Sequence, residues 1–280
     1  MKLKFTKMHG CGNDYVYINC FNQEVADPNT LSIELSHRRF GIGGDGVILI
    51  CPSDKADAKM RMFNADGSEG KMCGNGIRCV GRYLFDNNMV SGDTLTVETL
   101  SGIKTITAYR NSNGEIELLG VDMGKAELTP ENIPVSLSGD SIIAHKASFG
   151  GRDYDITCVS MGNPHCIVFV DNTDNIDIEK IGPNFEHNDI FPEGVNTEFI
   201  KVIDKNTLQM RVWERGSGET WACGTGACAS VVAAVLNGHC EKGADVTVKL
   251  KGGDLVINYT DERVFMKGPA TKVFDGEVEI

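Results

Sequence analysis

The chain repeats itself. Cys73-Gly74-Asn75-Gly76 recurs as Cys223-Gly224-Thr225-Gly226, 150 residues further on. The same displacement of 150 carries Gly12-Asn13 onto Gly162-Asn163 and Gly44 onto Gly194. It also carries Phe63-Asn64 onto Trp213-Glu214, and Glu69 onto Glu219. Isolated glycine matches would be cheap in a chain with 32 glycines. Blocks that keep both order and spacing are not, and a long-period repeat constrains the fold before local propensity does. The reading is two homologous halves related by a pseudo-twofold axis. Residues 1–122 make the first half, with a final segment of about 268–280 returning to it. Residues 123–267 make the second, and the boundary falls in "GVDMGKAELTP".

Each half runs through similar signals. A strand-like run, "YVYINC" or "HCIVFV", follows the Gly-Asn turn, and a short helix comes next in "NTLSIELSHRRF" and near "NIDIEKIG". Two further strands, "GVILI" and "AKMRMF" or "TEFIKVI" and "TLQMRVW", lead into the cysteine turn. A helical run follows, then alternating strands: "TLTVET" and "IKTITAY", or "DVTVKL" and "DLVINY". Period-two alternation with one strong helix per half reads as an α+β protein. The helix "CASVVAAVL" has almost no polar face, which predicts that its sheet wraps it.

A net charge of −12 and the lack of any basic run argue against a nucleic-acid partner, because phosphate backbones need clustered Lys and Arg. The start, "MKLKFTKMHGCGNDY", lacks the apolar core of a signal peptide, and no apolar run reaches membrane-spanning length. The expectation is a cytoplasmic protein with no membrane partner. Ten scattered cysteines without an export signal do not read as a disulfide framework. The closest pairs, Cys73/Cys79 and Cys223/Cys228, are too widely spaced for a zinc knuckle and have no nearby His to complete a set. No metal is expected, and most of the ten are expected in the core.

Cys73 and Cys223 are the exceptions. A cysteine just ahead of a helix lies at the positive end of the macrodipole, which favours the thiolate. Glycines at the next positions let a carboxylate approach first-turn N–H groups that lie outside the helical ladder. Each half therefore offers one reactive sulfur and one anion cradle. Joined about a twofold axis, two sulfurs would flank one α-carbon. One would remove a proton while the other delivers one to the opposite face, inverting a stereocentre without a cofactor. There is no Walker A pattern, and "GIGGDG" is only weakly similar to a dinucleotide loop.

The stretches "HGCGNDY", "FNADGSEGKMCGNGIRC", "MGNPHCIVF", "GVNTEFI" and "VWERGSGETWACGTGACAS" together resemble the diaminopimelate epimerase family over nearly the whole chain. The resemblance implies two similar halves, each a curved, mostly antiparallel sheet around a central helix, with the site in the cleft. It implies a PLP-independent isomerase that interconverts LL- and meso-diaminopimelate for lysine and peptidoglycan precursors, with no cofactor. Cys73 and Cys223 match the acid/base pair, and Gly74, Asn75, Gly224 and Thr225 match the carboxylate cradle. Asn13, Asn64, Asn163, Asn196 and Arg215 match the substrate-holding set. His165 and Glu214 match a polar pair beside the thiols. Glu214 is also assigned to the substrate's ammonium, and Arg215 suits a distal carboxylate. Cys11 departs from the family pattern and is expected to pack rather than react. Gly46 stands where some members carry a glutamine and is not counted as a contact. A homodimer is left open.

Two other readings compete. A proline or hydroxyproline racemase would have His where Asn75 stands and no distal zwitterion for Arg215 to bind. A non-catalytic binding protein or thiol redox sensor is the other, and a sensor would bridge Cys73 and Cys223 on oxidation. That bridge is also expected of an epimerase with an empty cleft.

Overall fold

A computed structural model of the chain describes residues 2–280. It resolves into two compact units, Met1–Asp122 with Lys267–Ile280, and Met123–Met266. In chain order the first part contains β1 (Lys2–Gly10), β2 (Asn13–Asn19), α1 (Pro28–Ser36), β3 (Gly46–Cys51) and β4 (Ala58–Asn64). It continues through β5 (Glu69–Gly70), α2 (Gly74–Asp86), β6 (Thr94–Thr99), β7 (Gly102–Arg110) and β8 (Ile116–Gly124). The second part contains β9 (His145–Phe149), β10 (Arg152–Ser160), β11 (Pro164–Phe169), α3 (Ile178–Glu186) and β12 (Asn196–Asp204). Then come β13 (Thr207–Glu214), β14 (Gly218–Thr220), α4 (Gly224–Leu236), β15 (Asp245–Leu250) and β16 (Gly253–Tyr259). β17 (Val264–Gly268) and β18 (Thr271–Glu279) close the chain.

The 150-residue repeat holds at the level of hydrogen bonds. β1, α1 and α2 fall on β10, α3 and α4 with identical bounds after that displacement. β2 and β3 pair in parallel with Tyr15 opposite Gly46, and β11 and β12 pair in parallel with His165 opposite Asn196. The antiparallel β3–β4 partners Val47 and Phe63 correspond to Thr197 and Trp213 in β12–β13. Most other pairings are antiparallel, with a second parallel contact in each unit, β4–β6 and β13–β15. The fold is α+β, as the alternation predicts.

One register difference bears on the site. β1 and β2 close with Gly10 opposite Asn13, through the two-residue loop Cys11-Gly12. Both loop residues have positive φ, 53° and 81°, as a tight two-residue hairpin turn requires. β10 and β11 close with Ser160 opposite Pro164, so Met161, Gly162 and Asn163 form a three-residue loop. Asn13 therefore starts a strand, whereas Asn163 sits in the turn.

Each central helix is largely enclosed. α4 packs against β10, β11, β12, β13, β15 and β16, and its residues Ala227 to Ala234 are all buried. A run of Ala, Ser, Cys and Val suits that place, since small side chains let strands approach on several sides and alanine is the best helix former. Fully burying a side chain such as Val231 or Val232 contributes roughly 1.5–3 kcal/mol. α2 packs on β1, β2, β6 and β18, and a Cβ at Gly81 would lie 2.9 Å from Ile106 of β7. A separate core gathers around the shorter helix of each unit, α1 in the first and α3 in the second. In the first unit Leu31 and Leu35 of α1 meet Val16, Ile18, Val47, Leu49 and Phe63. In the second, Phe149 stacks on Phe185 at 4.0 Å within a cluster that includes Ile156, Ile178 and Phe199. Among the described residues, no helix is long and apolar enough to cross a membrane.

Candidate active site

Cys73 and Cys223 are the N-caps of α2 and α4. Both have extended backbone, φ −125° and ψ 120° for Cys73, φ −118° and ψ 111° for Cys223. Each sulfur accepts the N–H of the third helical residue, Gly76 or Gly226, at 3.3 Å. Cysteine thus takes the place usually held by Ser, Thr or Asp. At Gly76 and Gly226 a side chain would crowd its buried neighbours. A Cβ at Gly76 would lie 2.7 Å from Ile48 Cδ1, and one at Gly226 would lie 2.4 Å from Glu198 Oε1. Gly74, Asn75, Gly224 and Thr225 occupy the first turn, where N–H groups precede the helical ladder and favour an anion.

Within the first unit, the Cys73 thiol donates to Asn13 Oδ1 at 3.2 Å. The Asn13 amide cannot turn round, because its Nδ2 donates to Asp45 Oδ2 at 2.7 Å. Asp45 also accepts the Asp14 N–H and pairs with Arg38 at 2.8 Å. Arg38 and Lys7 both pair with Asp14, and their cations hold its carboxyl below the usual range although burial pushes it up. Tyr15 stands beside this group. Burial raises its phenol well above the ordinary value, and the charges of Cys73 and Asp45 add to that. Asn75 is buried, and its Oδ1 accepts from Arg78 Nη2 at 2.9 Å.

Within the second unit, Cys223 Sγ lies 3.4 Å from Thr225 Oγ1, and Thr225 Oγ1 accepts from Asn163 Nδ2 at 3.3 Å. Asn163 Oδ1 lies 3.1 Å from His165 Nε2, and His165 Nδ1 lies 2.7 Å from Glu198 Oε1. Burial pushes the Cys223 thiol well up, and the charges of Glu214 and Glu198 push it further. The Thr225 hydroxyl and Gly226 N–H pull the other way. Burial also raises the Glu214 carboxyl, against a hydrogen bond from Thr220.

The remaining expected residues are placed as follows. Asn196 is buried, donates to the Pro164 carbonyl at 2.8 Å, and accepts the Arg215 N–H at 3.0 Å. It therefore holds the turn that carries Arg215. The exposed Arg215 guanidinium donates to the Glu193 carbonyl at 2.8 Å. Asn64 ends β4 and donates to Ser68 Oγ at 3.0 Å. Cys11 is buried in its turn, with Arg78 Nη2 4.0 Å from its sulfur.

Sequence patterns do not single out several members of these networks, Tyr15, Asp45, Arg78 and Glu198 among them. Glu198 nonetheless carries a signal, since a carboxylate inside the apolar strand run "TEFI" is out of place unless paired. The resemblance sets His165 and Glu214 as a polar pair beside the thiols; the hydrogen-bond partners of His165 are Glu198 and Asn163. Among the described residues, His165, Glu198 and Cys223 place ligand-type atoms within 4.8 Å of one another, a spacing that could gather a metal ion. The His165–Glu198 hydrogen bond accounts for the nearness of those two, and Cys223 joins them as the cap of α4.

The architecture defines the class of protein. It matches a PhzF-family phenazine biosynthesis protein from Bacillus anthracis with a TM-score of 0.73, at 18% identity and over 100% of both chains. It also matches a hydroxyproline epimerase from Agrobacterium vitis with a TM-score of 0.72, at 14% identity, over 99% of this chain and 92% of that one. At those identities the likeness is one of fold. Sequence settles the family. The diaminopimelate epimerase family model matches residues 5–129 and 157–273. A diaminopimelate epimerase from Acetivibrio thermocellus is 54% identical over 280 residues, 99% of each chain. One from Methanococcus maripaludis is 52% identical over 99% of this chain and all of its own. The chain belongs to the diaminopimelate epimerase family.

Proposed function

We propose that this chain interconverts LL- and meso-2,6-diaminopimelate in the formation of lysine and peptidoglycan precursors, without a cofactor, and that each unit is a domain contributing half of the machinery. The observation that carries the reading is the doubled cysteine cap. Two sulfurs stand at the N-termini of two enclosed helices, each at a glycine-rich first turn, in a chain of this family.

In the proposed reaction one thiolate takes the α-proton, and the C–H electron pair passes into the carboxylate. The other thiol gives its proton to the opposite face of the same carbon. The sulfurs exchange roles, so the enzyme runs in both directions. First-turn N–H groups of α2 and α4, with Asn75 and Thr225, receive the carboxylate as its charge grows. Arg215 takes the distal carboxylate. Asn13, Asn64, Asn163, Asn196 and Glu214 complete the contacts, and His165 acts beside Cys223. The substrate is a small zwitterion, consistent with the net charge of −12. A cytoplasmic location and a homodimer belong to the same proposal.

Turnover of either stereoisomer in deuterium oxide should place solvent deuterium at the α-carbon. Cys73→Ala and Cys223→Ala should each lose about 10²–10⁴-fold in epimerisation, the usual worth of a positioned acid or base. Retention of epimerisation by either variant, or preferred turnover of proline, would refute the reading.

A further inference from the structure

The two half-sites differ sharply at one buried position. Ile48, apolar and fully buried, has Glu198 as its counterpart 150 residues on. Glu198 has no exposed surface, and its Oε2 has no hydrogen-bond partner. A buried carboxylate with a bare oxygen is costly, so its retention asks for a role. Its other oxygen opens a chain of contacts that ends at a sulfur: Glu198, His165, Asn163, Thr225, Cys223.

The direction of that chain follows from counting donors. Asn163 Nδ2 can only donate, so Thr225 Oγ1 accepts from it and has its own proton free for Cys223 Sγ, 3.4 Å away. Asn163 Oδ1 can only accept, so His165 Nε2, at 3.1 Å, carries a proton. His165 Nδ1 faces Glu198 at 2.7 Å, and one more proton lies between them on either atom. Wherever that proton sits, the buried pair is neutral overall. Reversing the chain would leave Nε2 bare and put either a net negative charge or a proton on the partnerless Oε2, buried beside Glu214, Cys166 and Cys223. That is the costlier state.

We propose that Glu198 is a positioning residue for Cys223: with His165 it sets the direction of the Asn163–Thr225 hydrogen bonds so that a hydroxyl is donated to the sulfur. The first unit is set the opposite way. Asp45 turns the Asn13 amide so that its oxygen faces Cys73, and that thiol donates. The same asparagine, repeated, thus turns its oxygen to one sulfur and, at the other, holds a threonine hydroxyl whose proton can reach the sulfur, with Glu214 alongside. The catalytic meaning of this asymmetry rests on the acid/base reading of the two cysteines, whereas the direction of the chain does not.

The test uses the full-length protein labelled with ¹⁵N-histidine, as wild type, Glu198→Met and Glu198→Gln. Long-range ¹H–¹⁵N spectra should show His165 Nε2 protonated in the wild type. They should show it protonated in Glu198→Gln too, where the new amide donates to Nδ1. Glu198→Met leaves Nδ1 without a partner, so both tautomers should appear. Turnover of diaminopimelate should fall about tenfold in kcat in Glu198→Met, the upper worth of one ordinary hydrogen bond, with KM little changed. Glu198→Gln should recover most of that loss. A bare Nε2 in the wild type overturns the proposal, even if Glu198→Met fails to fold. Wild-type kcat in a folded Glu198→Met also overturns it. A wild type that does not epimerise diaminopimelate defeats the functional reading instead, and the His165 spectrum still decides the chain's direction.

Discussion

Arg78 carries a guanidinium with no exposed surface. It donates to Asn75 Oδ1 at 2.9 Å, to the Gly74 carbonyl at 3.2 Å and to the Pro269 carbonyl at 3.3 Å. A buried arginine is tolerated when its fork meets acceptors in this way. It is also a support for the first turn of α2, since it stands three residues after Asn75 on the same face of the helix. Each acceptor abandoned inside the protein costs about 1–3 kcal/mol. Arg78→Met is therefore expected to lose at least ~2 kcal/mol of stability, read from the denaturation midpoint, and to raise KM for substrate by releasing Asn75. An unchanged midpoint would mean that these bonds are not made. Nothing in "GIRC" announces this role, because an arginine in a helix most often points to solvent. The thiols were legible for the opposite reason. A cysteine between a strand and a Gly-rich helix start is unusual by itself, and here it occurs twice.

At the scale of the element, caps decide where structure begins. Asp27 caps α1 by accepting the Thr30 N–H at 3.1 Å, and Cys73 and Cys223 do the same for the central helices. The alternating runs and both central helices were readable in advance, because their periods follow from neighbouring residues alone. The pattern of β1, Lys2–Gly10, does not announce a strand, although it is the partner of both β2 and β18. Its residues "KLKFTKMHG" alternate only at the start, and Thr6, Lys7 and Met8 are all buried, which hides the period. Just ahead of the short 3₁₀ turn at Pro130–Asn132 a carboxylate gathers the loop instead of a cap. Glu127 accepts the N–H groups of Leu128 and Thr129 and the Asn132 amide, and these bonds hold its carboxyl down at about 2. A depressed carboxyl contributes stability that is present above its unfolded value, about 4.3. That contribution is lost as the pH falls toward about 2. Amide exchange at Leu128 and Thr129, corrected for its intrinsic pH dependence, should lose protection across that window in the wild type. Glu127→Gln should abolish the step, and a step that survives in the variant would assign it to another group.

Over the whole molecule, the duplication is filled in two different ways at one sheet position. In the second unit the outer neighbour of β10 is β9, joined to it by a hairpin. In the first unit the outer neighbour of β1 is β18, from the far end of the chain. The ladder runs from Lys2 opposite Glu279 to His9 opposite Thr271, and the Phe5 ring lies edge-on to Phe274 at 5.9 Å. Removing residues 271–280 should therefore strip hydrogen-exchange protection from the amides of β1 while those of α4 stay protected. Equal loss in both would mean that β18 supports more than its own unit.

The sequence by itself determined the repeat, the alternation of strands around two apolar helices, and the two cysteines at the helix starts. These are one-dimensional patterns that survive in any register the chain can adopt. Only the tertiary structure decided which way each repeated asparagine faces. That choice depends on Asp45 for Asn13 and on His165 with Glu198 for Asn163, partners set by strand pairing and by one extra residue in a hairpin loop. A side-chain amide reads the same in the sequence whichever end it turns to a sulfur. Its direction is fixed by the hydrogen-bond balance of groups packed around it from other strands.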